Sequence, residues 1–219
     1  MPIVIRIDSP VNMIERGQRG FSLLEAVIAV SIIGVLTAVA IDLGLDSLRR
    51  SRVNAVAMDL SGWLNGIHAN NSNAANDNVN VTCVATFTGQ AVYPNGNNFS
   101  AGQEVFTLNN PADCSPVIRS FRIPDNANGV FLIASPNTIT FNLRGNALIG
   151  DAAVAENNNM SGLSVNRDIK ILMSGTTLLR CIRINYLLGL ASVGANSNAS
   201  LVTNACASTA YGSFVNERF

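Results

Sequence analysis

The chain has 219 residues, of which 48% are hydrophobic and 13% are charged, and its formal net charge is zero. This balance excludes a strong electrostatic attraction to nucleic acid or to acidic partners. The length suits one long helix followed by a single globular domain.

An apolar segment lies close to the N-terminus. It runs from Phe21 to Ile41, and Glu25 is its one charged residue. As a helix it would be about 31 Å long, enough to cross a bilayer core of about 30 Å. A carboxylate inside such a segment is costly and therefore indicates a function that involves a partner group. We predict a transmembrane helix over residues 21–41, with Glu25 as a functional residue.

The residues around the start of this segment form a short motif. Gly20 follows a basic residue, Phe21 opens the apolar run, and Glu25 is the fifth residue from Phe21. This order resembles the processing motif of the type IV pilin and pseudopilin family. In that motif a polar leader ends in glycine, cleavage precedes Phe or Met, and glutamate is the fifth mature residue. Translation from Met13 instead of Met1 would give a shorter leader and the same mature protein.

The resemblance implies a processing route and a set of partners. Residues 1–20 would be a prepilin leader, and a prepilin peptidase would cut after Gly20 and methylate the amine of Phe21. Glu25 would contact a neighbouring subunit. The expected partners are that peptidase, other major and minor pilins, and the inner-membrane assembly platform. The protein would be a single-pass protein of the bacterial inner membrane with a periplasmic head, and later part of a pilus or pseudopilus filament.

A secretory signal peptide or a plain single-span anchor could also account for the apolar segment. A signal peptide would end in an A-x-A cleavage site, which residues 38–40 provide. However, the apolar run is longer than the roughly 7–15 residues of a signal peptide. A single-span anchor would fit the length. Neither a signal peptide nor a plain anchor gives Glu25 a purpose, so the pilin-type interpretation is favoured.

Apolar residues continue at steps of three to five beyond Ile41, with charged residues between them. This spacing predicts an amphipathic continuation of the helix over residues 42–70, whose apolar stripe holds a globular head. The asparagine-rich sequence near Asn70 is expected to end it. The stripe consists of Leu45, Leu48, Val53, Val56, Leu60, Trp63 and Ile67.

Beyond residue 78 the hydrophobic period changes to two, which is typical of strands. Ser174-Gly175 between two apolar runs predicts a hairpin, and the polar tail from Gly194 is expected to be a loop. The predicted fold class is α+β, with a long N-terminal helix packed on an antiparallel β-sheet head over residues 71–219. The predicted strands cover residues 79–87, 105–108, 117–123, 130–134, 138–143, 169–173 and 178–186.

All four cysteines follow the membrane segment, and none forms a C-x-x-C pair. An even number of cysteines outside the cytoplasm indicates two disulfides, for which three connectivities exist. The pairing Cys83–Cys114 with Cys181–Cys206 closes the shortest loops and is favoured. Each bond would stabilise the fold by roughly 3–4 kcal/mol in the chain-entropy model. Four free buried thiols are the alternative.

The C-terminal half narrows the resemblance to one branch of the family. Residues 138–145 resemble the "I-x-F-x-x-x-G" strand and turn of the GspH/FimT branch, and residues 180–184 with Gly189 resemble its final strand and glycine. The branch contains minor pseudopilins of type II secretion and minor pilins of type IV pili. Two positions depart from the pattern. Asp42 replaces a proline that many pilins carry, and Leu190 stands where DNA-binding members place arginine.

These resemblances predict a minor pilin of a type IV pilus that joins the filament at or near its tip and helps to initiate assembly. The alternatives are a minor pseudopilin of a type II secretion system and a DNA-binding minor pilin used in DNA uptake. The neutral charge disfavours nucleic acid as a partner. The basic groups available in the head for DNA are Arg119, Arg122, Arg144, Arg167, Arg180 and Arg183.

The sequence gives little support to an enzyme. His68 is the only histidine, and its place near the end of the long helix favours a surface or packing role. No nucleophile elbow, carboxylate pair or glycine-rich phosphate motif is present. Residues 125–129 lack the alternating oxygen ligands of a calcium loop and predict a turn. We expect neither a metal nor a cofactor.

The processing motif and the cysteines give a joint prediction for the mass of the membrane-extracted protein. The intact mass should correspond to a chain that begins at methylated Phe21. It should rise by about four daltons on reduction, because each of two disulfides takes up two hydrogens. A mass that begins at Ile41 would instead identify a secreted soluble protein.

Overall fold

The structure is a computed structural model, and it describes residues 22–76, 82–90, 95–109, 114, 119–142, 146–150, 168–185 and 188–206. The predicted leader, with Gly20 and Phe21, lies outside the described residues. The chain divides into two compact units, Met1–Leu43 and Gly44–Phe219.

One long helix, α1, covers Leu23–Asn76. The composition predicted that the asparagine-rich sequence ends this helix near Asn70, but the helix continues to Asn76. The buried side chain of Asn71 donates hydrogen bonds of 3.0 Å and 2.9 Å to the carbonyl oxygens of Phe141 and Asn142. These tertiary contacts favour the helical conformation of a residue with weak helix propensity. Residues 71–76 therefore belong to the helix and not to the β-rich part.

The rest of the second unit is built from antiparallel strands, so the predicted α+β fold class is confirmed. The strands within the described residues are β1 (Cys83–Phe87), β2 (Asn97–Phe99), β3 (Glu104–Asn109), β4 (Ser120–Arg122), β5 (Phe131–Ala134), β6 (Thr138–Phe141), β7 (Ala147–Gly150), β8 (Ile169–Met173), β9 (Leu179–Ile184) and β10 (Ala191–Asn196). They form two sheets, one with the strand order β4-β3-β1-β6-β7 and the other with the order β10-β9-β8-β5-β2. The neighbouring strands in both sheets are antiparallel.

The core of this unit joins α1 to both sheets. Trp63 on the helix lies 6.0 Å, ring centre to ring centre, from both Phe106 of β3 and Phe121 of β4. Leu45 and Leu48, at the start of the predicted stripe, are exposed. The stripe is therefore buried only from Val53 onward. Its buried members are Val53, Val56, Leu60, Trp63 and Ile67.

Three strands were not predicted. β2 contains two asparagines and pairs with β5, and β7 pairs with β6. β10 pairs with β9 over six residues, so the loop expected from Gly194 onward is wrong for residues 194–196. These segments are short or rich in small and polar residues, which have low strand propensity. Pairing with a partner strand, which the sequence pattern does not reveal, decides their conformation.

The hairpin predicted at Ser174-Gly175 joins β8 to β9. Gly175 has a φ of 79°, in the left-handed region that glycine adopts without a steric penalty. The backbone N–H of Thr176 donates to the carbonyl of Met173 and closes the turn.

Two disulfides join distant segments of this unit. Cys83 of β1 bonds to Cys114, and Cys181 of β9 bonds to Cys206. This is the pairing that the sequence favours because it closes the shortest loops. The second bond holds residues 197–206, here called the tail segment, against the sheet. A small apolar cluster lies beneath that segment and consists of Ala134, Leu172, Leu179, Cys181, Ala199, Val202 and Cys206.

The fully buried ring of Phe106 gives a test of this core. Replacing Phe106 with alanine should lower the free energy of unfolding by about 3–5 kcal/mol, because it removes the contacts with Trp63 and Phe87 and leaves a cavity. Trp63 is the only tryptophan, so its fluorescence in urea reports the transition. Leu201→Ala, at an exposed position, is the control and should change stability by no more than about 0.5 kcal/mol. A loss below about 1 kcal/mol for Phe106→Ala would contradict the packing.

Candidate functional site: the N-terminal motif and the apolar helix

The first turn of α1 carries the one carboxylate of the apolar segment. The helix begins at Leu23, and the backbone N–H of Ala26 donates to the carbonyl of Ser22 at 3.1 Å. Glu25 lies in this turn and its side chain is exposed. A carboxylate is favoured at this end of a helix, because the free backbone N–H groups give it a partial positive charge. The cleavage site at Gly20 and Phe21 is not among the described residues.

The helix after Glu25 presents apolar side chains on all sides within the first unit. Its large hydrophobic residues between Leu23 and Leu43 are more than half exposed, with Leu23 at 83%. Its most apolar 18-residue window has a mean hydropathy of 2.5, and none of that window is buried. Such a surface in water would be strongly unfavourable. By length and composition this helix can cross a membrane.

The hydroxyl groups of this helix are satisfied within it. Ser31 donates to the carbonyl of Val27 at 2.8 Å, and Thr37 donates to the carbonyl of Ile33 at 2.7 Å. Hydroxyls bonded in this way tolerate an apolar environment, because they leave no unpaired donor. Between Leu23 and Ile41, Glu25 is therefore the described side chain whose polar group has no partner within the helix.

Two of the arginines considered for DNA binding are bonded to side chains of the head. The Nε of Arg180, a buried residue, donates to the side-chain oxygen of Asn54 on α1. Arg183 makes two hydrogen bonds to the Asp168 carboxylate, at 2.9 Å and 3.0 Å. Both guanidinium groups are thus used inside the head, and they serve to hold its elements together. Of the other four arginines, Arg119 is exposed and Arg122 pairs with Glu104. Arg144 and Arg167 lie outside the described residues.

A buried lysine connects β8 to the tail segment. Lys170 lies opposite Cys181 in the strand register, and its Nζ donates to the carbonyl of Thr203 at 3.2 Å. Burial lowers the pKa of Lys170, and the nearby carboxylate of Asp168 opposes this shift. The sequence pattern gives Lys170 no special role. A lysine inside an alternating strand is ordinarily solvent-exposed, and here the tail segment covers it.

The remaining candidates for chemistry are the histidine and possible metal-binding side chains. The ring of His68 is half-buried and lies 6.3 Å from that of Phe141, which fits a packing role. Within the described ranges, no group of three or more His, Cys, Asp or Glu side chains is placed to hold a metal ion.

Comparison with known protein families identifies the motif at the start of the apolar helix. The model of one family, the prokaryotic N-terminal methylation motif, matches residues 16–41. Comparisons with curated proteins and with solved structures give no match. The motif indicates a type IV pilin-like or pseudopilin protein. It implies processing by a prepilin peptidase and assembly with other pilins, and the apolar helix fits membrane anchoring.

The lowered pKa of Lys170 predicts a pH dependence of stability. Because the unfolded chain binds this proton more tightly, the free energy of unfolding should rise with pH from the lowered pKa up to about 10.5. Lys170→Met should lose this component of the rise. Arg122→Met removes an exposed charge that does not titrate in this range and should keep it. Parallel stability curves for the wild type and Lys170→Met would contradict the assignment.

Proposed function

We propose that this chain is a minor pilin of a type IV pilus, incorporated at or near the filament tip, where it helps to initiate assembly. One observation carries the proposal: an exposed apolar helix with a single carboxylate in its first turn precedes a compact, disulfide-bonded β-rich unit. The role proposed is structural and not enzymatic.

The first step of the mechanism is processing and storage. A prepilin peptidase cuts after Gly20 and methylates the amine of Phe21. The apolar helix then holds the protein in the inner membrane with its head in the periplasm. The exposed apolar side chains favour the bilayer over water at about 25 cal/mol per Å² of area buried.

The second step is transfer from lipid to filament. The assembly platform extracts the helix, whose apolar surface packs against other pilin helices and supplies most of the cohesion. Glu25 pairs with the N-terminal ammonium of a neighbouring subunit. An unpaired charge in that environment would cost several kcal/mol, so the pair fixes the axial position of one subunit relative to the next.

The place at the tip is supported by the resemblance to the GspH/FimT branch. Its strand-and-turn motif begins in β6, and its final-strand motif lies in β9, after which this chain has one more described strand, β10. Gly189, the glycine of that motif, has a φ of 64° in the turn from β9 to β10, where a side chain would be strained. The same residues would serve a minor pseudopilin of type II secretion, which is the alternative. The internal bonds of Arg180 and Arg183 weigh against a DNA-binding pilin.

Replacing Glu25 with alanine tests the subunit contact. Processing of the leader should be unaffected, whereas incorporation into sheared filaments should fall by more than about tenfold, because an ammonium left unpaired costs several kcal/mol. Quantitative immunoblotting of filaments against the membrane pool measures this. Ser31→Ala removes a polar group that is satisfied within the same helix, and it should leave incorporation unchanged. Equal incorporation of Glu25→Ala and wild type would contradict the proposed contact.

The position in the filament has a separate test. Immunogold labelling of the head should mark one end of each pilus, because a subunit that initiates assembly stays at the end that forms first. Labelling along the whole length would contradict the tip position. Absence from pili, with a defect in protein secretion on deletion, would favour the pseudopilin.

A further inference from the structure

Three arginines follow the apolar part of α1 at short spacing. The residues just after Leu48 include Arg49, Arg50 and Arg52. The side chains of Leu45 and Leu48 before them are 46% and 55% exposed. The helix surface therefore changes from apolar to cationic within a few residues. By sequence pattern alone, these arginines form only the polar side of an amphipathic helix.

Two of the three charges have no acidic partner among the described residues. Arg50 pairs with Asp46 at 2.7 Å. Arg49 donates to the carbonyl of Gly175 at 3.2 Å, and Arg52 donates to the carbonyl of Asn128 at 2.7 Å. A backbone carbonyl accepts a hydrogen bond but carries no net charge. Arg49 and Arg52 thus leave two positive charges at this end of the head.

The donors of these two side chains are mostly unused. A guanidinium group has five N–H donors in a planar fork, and the structure gives Arg49 and Arg52 one hydrogen bond each. The bonds to Gly175 and Asn128 limit the movement of both side chains, so further contacts cost less rotamer entropy. A planar fork with free N–H pairs matches two oxygens of a phosphate group.

Their place along α1 sets the depth at which they would meet a bilayer. Arg49 and Arg52 come eight and eleven residues after Ile41, which is a rise of roughly 12 Å and 17 Å along the helix. Headgroups occupy roughly 5–8 Å beyond the hydrocarbon on each side. Long arginine side chains can shift their charged groups by several ångströms along a helix toward this level.

We propose that Arg49 and Arg52 bind the phosphate groups of lipid headgroups at the membrane surface where α1 leaves the bilayer. The inference rests on the proposed membrane anchoring and adds a specific lipid contact to it. Anionic phospholipids are the favoured ligands, because they add net charge to the phosphate oxygens. The contact would belong to the membrane-stored protein and would break when the subunit is extracted.

This contact can be tested by titrating the detergent-extracted full chain with phosphatidylglycerol. Native mass spectrometry measures the fraction of the protein that carries bound lipid. The double variant R49Q/R52Q should bind this lipid about tenfold or more weakly, since each arginine near an anionic surface contributes severalfold. R119Q/R122Q removes two arginines elsewhere on the head and should bind like the wild type. R49K/R52K keeps both charges but loses the planar forks, so its affinity should lie between those of the wild type and R49Q/R52Q. An unchanged urea transition of Trp63 fluorescence in R49Q/R52Q excludes a folding defect.

Each contrary outcome overturns the proposal. Equal affinity of the wild type and R49Q/R52Q would exclude the two arginines as the lipid site. Displacement of the lipid by excess inorganic phosphate would identify a site for free anions instead. Flotation with vesicles tests membrane anchoring separately from the lipid contact. A chain that does not float contradicts anchoring and lipid contact together, whereas a floating chain with no preference for phosphatidylglycerol contradicts the lipid contact alone.

Discussion

The second unit depends on the burial of one apolar stripe of helix α1 against both sheets. From Val53 to Ile67 the stripe contacts a core to which both sheets contribute, and Trp63 reaches strands β3 and β4 at once. Without the helix, the inner faces of the strands would expose their aliphatic and aromatic side chains to water. The disulfides add to this packing by restricting the unfolded chain.

The same helix serves two environments along its length. Up to Ile41 its large hydrophobic side chains are exposed, and from Val53 onward its stripe is buried by protein. Glu25 is the single charge in the first part, and three arginines lie between the parts. Each apolar stretch requires a nonaqueous surrounding, which the protein itself supplies only for the second. A bilayer, and later a filament, can supply it for the first.

Polar side chains decide where several elements end or meet. Asn71 extends α1 by its bonds to residues 141 and 142, and Asn65 exchanges hydrogen bonds with the backbone of Ala191 at the start of β10. Lys170 and the Cys181–Cys206 disulfide hold the tail segment on the sheet. These contacts join residues that are 25 to 126 positions apart in sequence. Local propensity therefore could not reveal them.

The sequence by itself determined the α+β class, the apolar helix with its lone carboxylate, the hairpin at Gly175 and most strands. Each depends on a local period, a turn residue or a charge in an apolar run, all of which are read from neighbouring positions. The tertiary structure alone decided the end of α1, strands β2, β7 and β10, and the bonds that occupy Arg180 and Arg183 inside the head. Those features depend on partners from distant segments, whose pairing energy outweighs weak local preferences.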